Sequence, residues 1–217
     1  MSAVQPQYGP TLLQLLAARP RRVQVAAGAF AVLLVVAAIV IGLRSRPNET
    51  VVLLREPTTF NFAYPPHLHR VKRPGTLVAL RRARGDLFLD SFVIRDLRLP
   101  PYEGAVGGML PLYSHDYMRG VRERYPGARF INEGRTRINN GVGYQVTFQG
   151  RRDGRPLFIR HFLLVPELPD GQRRGVLIEL ESTYGAGTPD AASTGAIGPL
   201  RTALRSFRFG EDRKGGT

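Results

Sequence analysis

The sequence contains no cysteine, which excludes disulfides, thiolate metal sites, a cysteine nucleophile and a lipidated N-terminal cysteine. Lysine is scarce: Lys72 and Lys214 are the only two among 31 basic residues, and the rest are arginine. Acidic residues number 17, so the net charge is +14 and favours anionic partners. Hydrophobic residues make up 43% of the chain, which excludes wholesale disorder. The 217 residues suit one domain, or one domain and an anchor.

One apolar stretch predicts a transmembrane helix. Residues 23–43 (VQVAAGAFAVLLVVAAIVIGL) carry no charge, and as a helix of about 31 Å they match a hydrocarbon core of about 30 Å. The membrane-spanning residues of this prediction include Val23, Ala31, Leu34, Ile39 and Leu43. A core helix would need a polar face, and a cleavable signal peptide would have a shorter apolar region and a small-residue cleavage site. We therefore predict an uncleaved signal anchor in the lipid bilayer of the cell membrane.

Arginines around this stretch predict its orientation. Three arginines and no acid precede it, whereas two arginines and one acid follow it, and basic residues favour the cytoplasmic side. We predict five segments: a cytoplasmic N-terminal segment (1–22), the transmembrane helix (23–43), a connector (44–57), an extracytoplasmic α+β domain (58–210) and a disordered tail (211–217). Residues 51–54 could form a first strand within the connector.

Alternating apolar residues predict strands in the domain. The predicted strands cover 60–65, 87–97, 130–138, 142–148, 157–165 and 176–181. Turn signals at 139–141, 152–155 and 169–171 join the last four, and strands joined by tight turns must be antiparallel. Two apolar stripes at helical spacing predict helices, one with Leu110, Tyr113, Tyr117, Val121 and Tyr125, the other with Ile197, Leu200, Leu204 and Phe207. The fold class is therefore α+β, an antiparallel sheet flanked by helices.

The domain resembles the PsbP-like superfamily of PsbP, Mog and LpqN-type proteins. The resemblance rests on the order of the elements, on Phe60-x-Phe62-x-Tyr64-Pro65 at the start, and on the Arg205–Phe209 segment (RSFRF) at the end. It implies an α/β/α sandwich and proteins that bind other proteins or assemblies rather than catalyse. No metal- or complex-binding residue of the photosynthetic members is carried over to this sequence.

Three short segments contain the residue types of catalytic, metal-binding or phosphate-binding sites. Ser114, His115 and Asp116 are adjacent on a predicted helix and cannot face one another, so Ser114 or Asp116 is interpreted as a helix cap. His67 and His69 are too few for a zinc site and are expected to be exposed. The glycines of 104–108 predict a flexible loop.

Three titratable residues lie on predicted strands. His161 shares a face with apolar residues and is interpreted as a satisfied core histidine. Glu179 and Glu181 share the opposite face of their strand from its apolar residues, which predicts a solvated surface rather than an acid–base pair. We predict no catalytic residue, no cofactor and no metal, and hence no enzyme.

Basic residues outnumber acidic ones within the domain itself, by 24 to 14 over residues 50–210. They either protect sheet edges and keep the protein soluble, or attract anions. For the second case, the candidate contacts with an anion or partner are Arg81, Arg82, Arg84, Arg151, Arg152, Arg155, Arg201 and Arg205.

These patterns favour a membrane-anchored, non-catalytic binding or scaffold domain that docks on an acidic protein, a lipid or an envelope polymer. One alternative is the inverted topology, with a cytoplasmic domain that binds nucleic acid. Against it, the sequence shows no DNA-reading motif and no interleaved arginine and aromatic residues for base stacking. A second alternative is an envelope enzyme without a recognisable motif. The oligomeric state does not follow from the sequence.

Overall fold

The chain divides into two compact units, Met1–Arg46 and Pro47–Thr217. A computed structural model describes residues 20–44, 48–53, 58–101, 106–166 and 174–210. The predicted disordered tail (211–217), the turn predicted at 169–171 and all of the predicted cytoplasmic segment before Pro20 lie outside the described residues.

The described part of the first unit is one helix, α1, Arg21–Arg44. It follows Pro20, whose carbonyl accepts a hydrogen bond from the Val23 amide at 2.8 Å. Its side chains are described at 22, 23, 25, 26 and 29–37, and the large apolar ones among them are exposed. Over the described residues, no helix is long and apolar enough to cross a membrane. The membrane span over 23–43 therefore stays a prediction.

Among the described residues, seven antiparallel strands form the main sheet of the second unit. They are β3 (His69–Arg70), β4 (Val78–Arg84), β5 (Leu87–Arg98), β6 (Arg129–Ile138), β7 (Gly141–Arg152), β8 (Arg155–Pro166) and β9 (Arg174–Thr183). Their order in the sheet is β3-β4-β5-β9-β8-β7-β6. Strands β6 to β9 are neighbours in chain order, which confirms the predicted antiparallel meander.

Both faces of the main sheet are covered. One, the small-sheet face, carries helix α3 (Arg201–Ser206) and a second sheet. The strands of this second sheet, in order, are β1 (Glu49–Leu53), β2 (Phe60–Tyr64) and β10 (Arg208–Phe209). The other, the helix face, carries α2 (Val106–Arg124). The predicted α+β fold, an antiparallel sheet with flanking helices, is confirmed.

The alternation of each strand gives two separate cores. On the small-sheet face Phe60 and Phe62 of β2 are fully buried, and the Phe62 ring lies 5.1 Å from that of Phe92 in the main sheet. On the helix face the predicted stripe of α2 covers β7 and β8, where Phe148 is buried. Because these phenyl rings each remove a large apolar surface from water, they dominate the burial on each face.

Three predictions of local structure were wrong. Helix α3 spans only Arg201–Ser206, so Ile197 and Phe207 of the predicted stripe lie outside it, and Phe207 is already extended (φ −59°, ψ 132°). Gly107 and Gly108 lie inside α2, not in a loop. The β6–β7 turn, predicted at 139–141, consists of Asn139 and Asn140 alone, because Gly141 already begins β7.

Glycine allows the backbone of β7 to approach β8 closely. A Cβ atom added at Gly143 would lie 2.0 Å from the carbonyl oxygen of Leu163. We expect Gly143→Ala to lower the free energy of unfolding by about 2 kcal/mol, because the two strands must separate to admit the methyl group. Urea denaturation checks this against Gly134→Ala, whose added Cβ meets open space. Equal stability of the two variants would contradict the close approach.

A candidate anion-binding surface

Two hairpin turns lie at the same end of the main sheet. Ser182 of β9 pairs with Asp90 of β5 on one side and with Phe158 of β8 on the other. The β4–β5 and β7–β8 turns are therefore aligned across the sheet. In the β7–β8 turn Asp153 and Gly154 both adopt positive φ, of 52° and 74°, as a two-residue hairpin loop requires.

A β-bulge turns Phe88 toward the helix face. Arg82 pairs with Asp90, but Ala83 pairs with Phe88, so one residue of β5 has no partner in β4. Such an extra residue moves the neighbouring side chains to the other face of the strand. Phe88 consequently belongs to the helix-face core, whereas Phe92 belongs to the small-sheet core.

Phe88 contacts both groups of candidate arginines, the group at 81–84 and the group at 151–155. The guanidinium carbon of Arg81 lies 5.7 Å from the centre of its ring, and that of Arg152 lies 4.0 Å from it. Both distances are in the range of a cation–π contact. We call the exposed arginines of this end the arginine rim: Arg81, Arg84, Arg151, Arg152 and Arg155.

The five arginines of the rim outnumber the three acidic residues beside them, Asp86, Asp153 and Glu181. Arg152 forms an ion pair with Glu181 at 3.3 Å and keeps 41% of its side chain exposed. Within the described part of the chain, Arg84, Arg151 and Arg155 form no ion pair. Acidic residues of the two turns are Asp86 and Asp153. This end of the domain is therefore positively charged and open to solvent.

The other three candidate arginines do not join the rim. The Arg82 Nε donates a hydrogen bond to Asp90 at 2.6 Å, and its guanidinium also reaches the Ala186 carbonyl. Burial raises the pKa of Asp90, although the hydrogen bond from Ser182 and the charge of Arg82 oppose this effect. Arg201 and Arg205 lie on α3, and the Arg205 carbonyl is bound by the side chain of Asn139, at the opposite end of the sheet.

A buried polar cluster lies on the helix face behind the rim. We call it the polar clamp: Ser91, Arg95, Tyr117, Arg124, Tyr125, His161, Glu179 and Glu181. Glu179 is 3% exposed and forms ion pairs with Arg95 at 2.9 Å and Arg124 at 2.6 Å. Burial would raise the pKa of Glu179, but the hydrogen bonds from Arg95 and Arg124 and the charge of Arg124 lower it below its ordinary value.

Glu181 connects the polar clamp to the arginine rim. It is 5% exposed and accepts hydrogen bonds from Tyr125 at 2.5 Å and Ser91 at 3.1 Å, beside its ion pair with Arg152. The predicted solvated face of Glu179 and Glu181 is therefore wrong, because α2 covers it. Each carboxylate is engaged by at least two donors, as buried charge requires.

His161 lies at the closed end of the polar clamp. It is completely buried, as predicted for a core histidine, and its Nδ1 lies 2.8 Å from the Tyr117 hydroxyl. Its Nε2 has no hydrogen-bond partner in the described residues, so the imidazole is satisfied at one nitrogen only. The ring of Phe148 lies edge-on, 5.9 Å away. Burial lowers the pKa of His161 to about 4, against the opposing charge of Glu179.

The remaining candidates are separated from one another. Ser114 is buried in the middle of α2, where its hydroxyl donates a hydrogen bond to the Pro111 carbonyl. The prediction that it caps the helix is therefore wrong. His115 and Asp116 are exposed on the same helix. His67 and His69 are exposed as predicted. Among the described residues, no group of three or more potential ligands could hold a metal ion.

Sequence patterns missed Phe88 and the helix residues of the polar clamp. The side of the sheet on which Phe88 lies depends on the β-bulge, which no local sequence pattern predicts. The sequence did contain a signal for the clamp, because Tyr117 and Tyr125 lie on the predicted apolar stripe and buried tyrosine hydroxyls need polar partners. A strand with an imidazole or carboxylates could supply them.

The sequence matches no protein-family profile and no curated protein. Solved structures similar to this chain include the cyanobacterial PsbP (CyanoP) of Synechocystis sp. PCC 6803 (14% identity, 76% of this chain and 95% of that chain, TM-score 0.49). Others are LpqN of Mycobacterium tuberculosis, involved in cell envelope biogenesis (8% identity, 76% and 93%, TM-score 0.48), and the Ran-binding protein Mog1p of Saccharomyces cerevisiae (14% identity, 76% and 96%, TM-score 0.45). At these values the likeness concerns the fold alone and assigns this chain neither an activity nor a partner.

Proposed function

We propose that the chain is a non-catalytic binding protein. Residues 23–43 anchor it in the cell membrane, and its domain outside the cytoplasm presents the arginine rim to an anionic partner. The observation that carries this proposal is the convergence of two sequence-distant arginine clusters on Phe88. Convergence concentrates positive charge at one end of the sheet, where it can meet one partner surface.

The state of the polar clamp supports a role in binding rather than catalysis. A general base needs a free lone pair within reach of substrate. Glu179, Glu181 and His161 are instead covered by α2, and the carboxylates are held by arginine, tyrosine and serine donors. The clamp holds the last turn of α2 on the sheet and orients Arg152.

The anchor is supported by the 21 charge-free residues of 23–43 and by the helical conformation of Arg21–Arg44. Large apolar side chains of α1, such as Phe30 and Leu33, are exposed. Exposure of such residues to water is unfavourable by about 25 cal/mol per Å² of apolar surface. A bilayer would remove this cost.

A C-terminal alkaline phosphatase fusion tests the orientation, since this enzyme is active only outside the cytoplasm. We expect an active fusion that stays in the membrane fraction during alkaline carbonate extraction, and release of the same fusion when 21–44 is deleted. The matched control is a fusion to a fluorescent protein that folds in the cytoplasm, which should stay dark. Inactive phosphatase with a bright fluorescent fusion would establish the inverted topology, and extraction of the intact chain would refute the anchor.

A further inference from the structure

The chain enters the domain at the same end as the arginine rim. Glu49, the first residue of β1, pairs with Tyr64 and accepts a hydrogen bond from its hydroxyl at 2.5 Å. After Tyr64 a single turn, closed by the Leu68 amide on the Pro65 carbonyl, leads into β3. There His69 pairs with Arg81 of the rim.

The connection to α1 is short. Helix α1 ends at Arg44 and β1 begins at Glu49, so five residue steps separate them. Fully extended, they span at most about 18 Å. If α1 crosses the bilayer, Glu49 is therefore within about 18 Å of the headgroups, and the rim lies at the end of the domain nearest to this attachment.

The chemistry of the rim matches phospholipid headgroups. Guanidinium groups bind phosphate oxygens in a planar, bidentate manner, and they shed water more easily than ammonium groups. Tyr184 follows β9 at this end, is 69% exposed, and lies beside Pro156, whose carbonyl accepts a hydrogen bond from the Tyr184 amide. Exposed tyrosine beside arginine is typical of side chains that lie at a membrane–water interface.

We propose that the arginine rim docks on anionic phospholipid headgroups of the bilayer in which the chain is anchored. This inference rests on the proposed function and names its partner. Tethering favours this occupant over an acidic protein, because it keeps the headgroups at a high effective concentration at all times. Docking would fix the orientation of the domain and leave the opposite end of the sheet, with the β6–β7 turn, turned away from the membrane.

A fluorescence experiment on the full-length chain tests the docking. Because the chain has no cysteine, Tyr184→Cys places one label beside the rim, and Pro101→Cys places one beyond the opposite end of β5. Each labelled chain is reconstituted in vesicles of phosphatidylcholine alone or with 30% phosphatidylglycerol, both containing a nitroxide on the headgroup. We expect quenching of the Tyr184→Cys label in the anionic vesicles, weaker quenching in the neutral ones, and little quenching of the distal label in either.

Charge-removing variants connect the quenching to the rim. Each arginine near an anionic surface contributes about fivefold in binding. Replacing Arg84, Arg151 and Arg155 with glutamine should therefore lower the ratio of docked to undocked domain by about a hundredfold. Replacing Arg98, Arg174 and Arg205, which are exposed and distant from the rim, with glutamine makes the same change in net charge and should lower this ratio by less than fivefold. Raising the salt concentration from 50 to 500 mM should abolish the quenching that depends on anionic lipid.

The outcomes separate this inference from the proposed function. A chain that resists carbonate extraction but shows equal quenching at both positions, or no effect of the rim variant, would overturn headgroup docking and leave the anchor intact. Loss of the anchor would appear independently, as extraction of the chain from every vesicle. Quenching that inorganic phosphate at 10 mM abolishes at constant ionic strength would show a site for free phosphate, and would also overturn docking on lipid.

Discussion

Glu179→Ala is expected to lower the free energy of unfolding by about 3 kcal/mol, because it leaves the guanidinium groups of Arg95 and Arg124 without their shared carboxylate. Breaking a buried ion pair from one side costs about 3–5 kcal/mol. We expect the lower value of this range because the Arg124 side chain is 43% exposed, so that water screens part of its charge. The loss should be accompanied by faster hydrogen exchange in the last turn of α2, where Arg124 ties the helix to β9.

Urea denaturation of the full-length chain in detergent measures the first effect, and amide exchange read out by mass spectrometry measures the second. The matched control is Glu123→Ala, which removes an exposed carboxylate from the neighbouring residue of α2. It should change the stability by less than about 0.5 kcal/mol. If both variants were equally stable, the ion pairs of Glu179 would contribute nothing to the fold.

The strands of the meander could be predicted because their sequence satisfies the geometry of a strand at every position. Val142, Tyr144, Val146 and Phe148 share one face in the structure as in the sequence pattern. The turns follow from residues that accept positive φ, such as Gly154. Local chemistry determined these features, and a single sequence contains all of it.

The burial of Glu179 and Glu181 could not be predicted in this way. Alternation along β9 shows that its two faces differ, but it does not show whether the polar face is covered. Coverage depends on α2, which lies more than 50 residues away in sequence and brings Tyr125 and Arg124 onto that face. The same pattern of residues would be exposed in a sheet with one open face.

The convergence of the two arginine clusters depends on contacts between residues even farther apart in the sequence. The sequence shows two clusters about 70 residues apart, and only the strand order β4-β5-β9-β8-β7 places both at one end of the sheet. The bulge beside Ala83 then turns Phe88 under Arg81 and Arg152. The polar clamp and the rim are thus one arrangement, because Glu181 binds Tyr125 of the helix-face core and Arg152 of the rim.

Acidification should destabilise the domain through His161. Its pKa is lowered from 6.5 to about 4 by burial, so the folded state keeps it neutral while the unfolded chain takes up a proton below pH 6.5. The unfolded state then binds more protons, and stability falls as the pH falls. The full difference corresponds to about 3 kcal/mol, of which about 2 kcal/mol is lost between pH 6.5 and 5. Above about pH 7.5 the unfolded chain is also neutral at this position, so the group no longer changes the stability.

The variant His161→Gln isolates this contribution, because glutamine does not titrate and its carbonyl can accept the hydrogen bond of Tyr117. Glu179, Glu181, Arg95 and Arg124 surround the position in both proteins, and the stability that the lowered pKa of Glu179 provides is lost below about pH 4.5. Between pH 7 and 5 the wild type should therefore lose about 2 kcal/mol more than the variant, measured by urea denaturation at each pH. Parallel losses would mean that the imidazole is protonated inside the fold, where Glu179 opposite it on β9 would have to stabilise the charge.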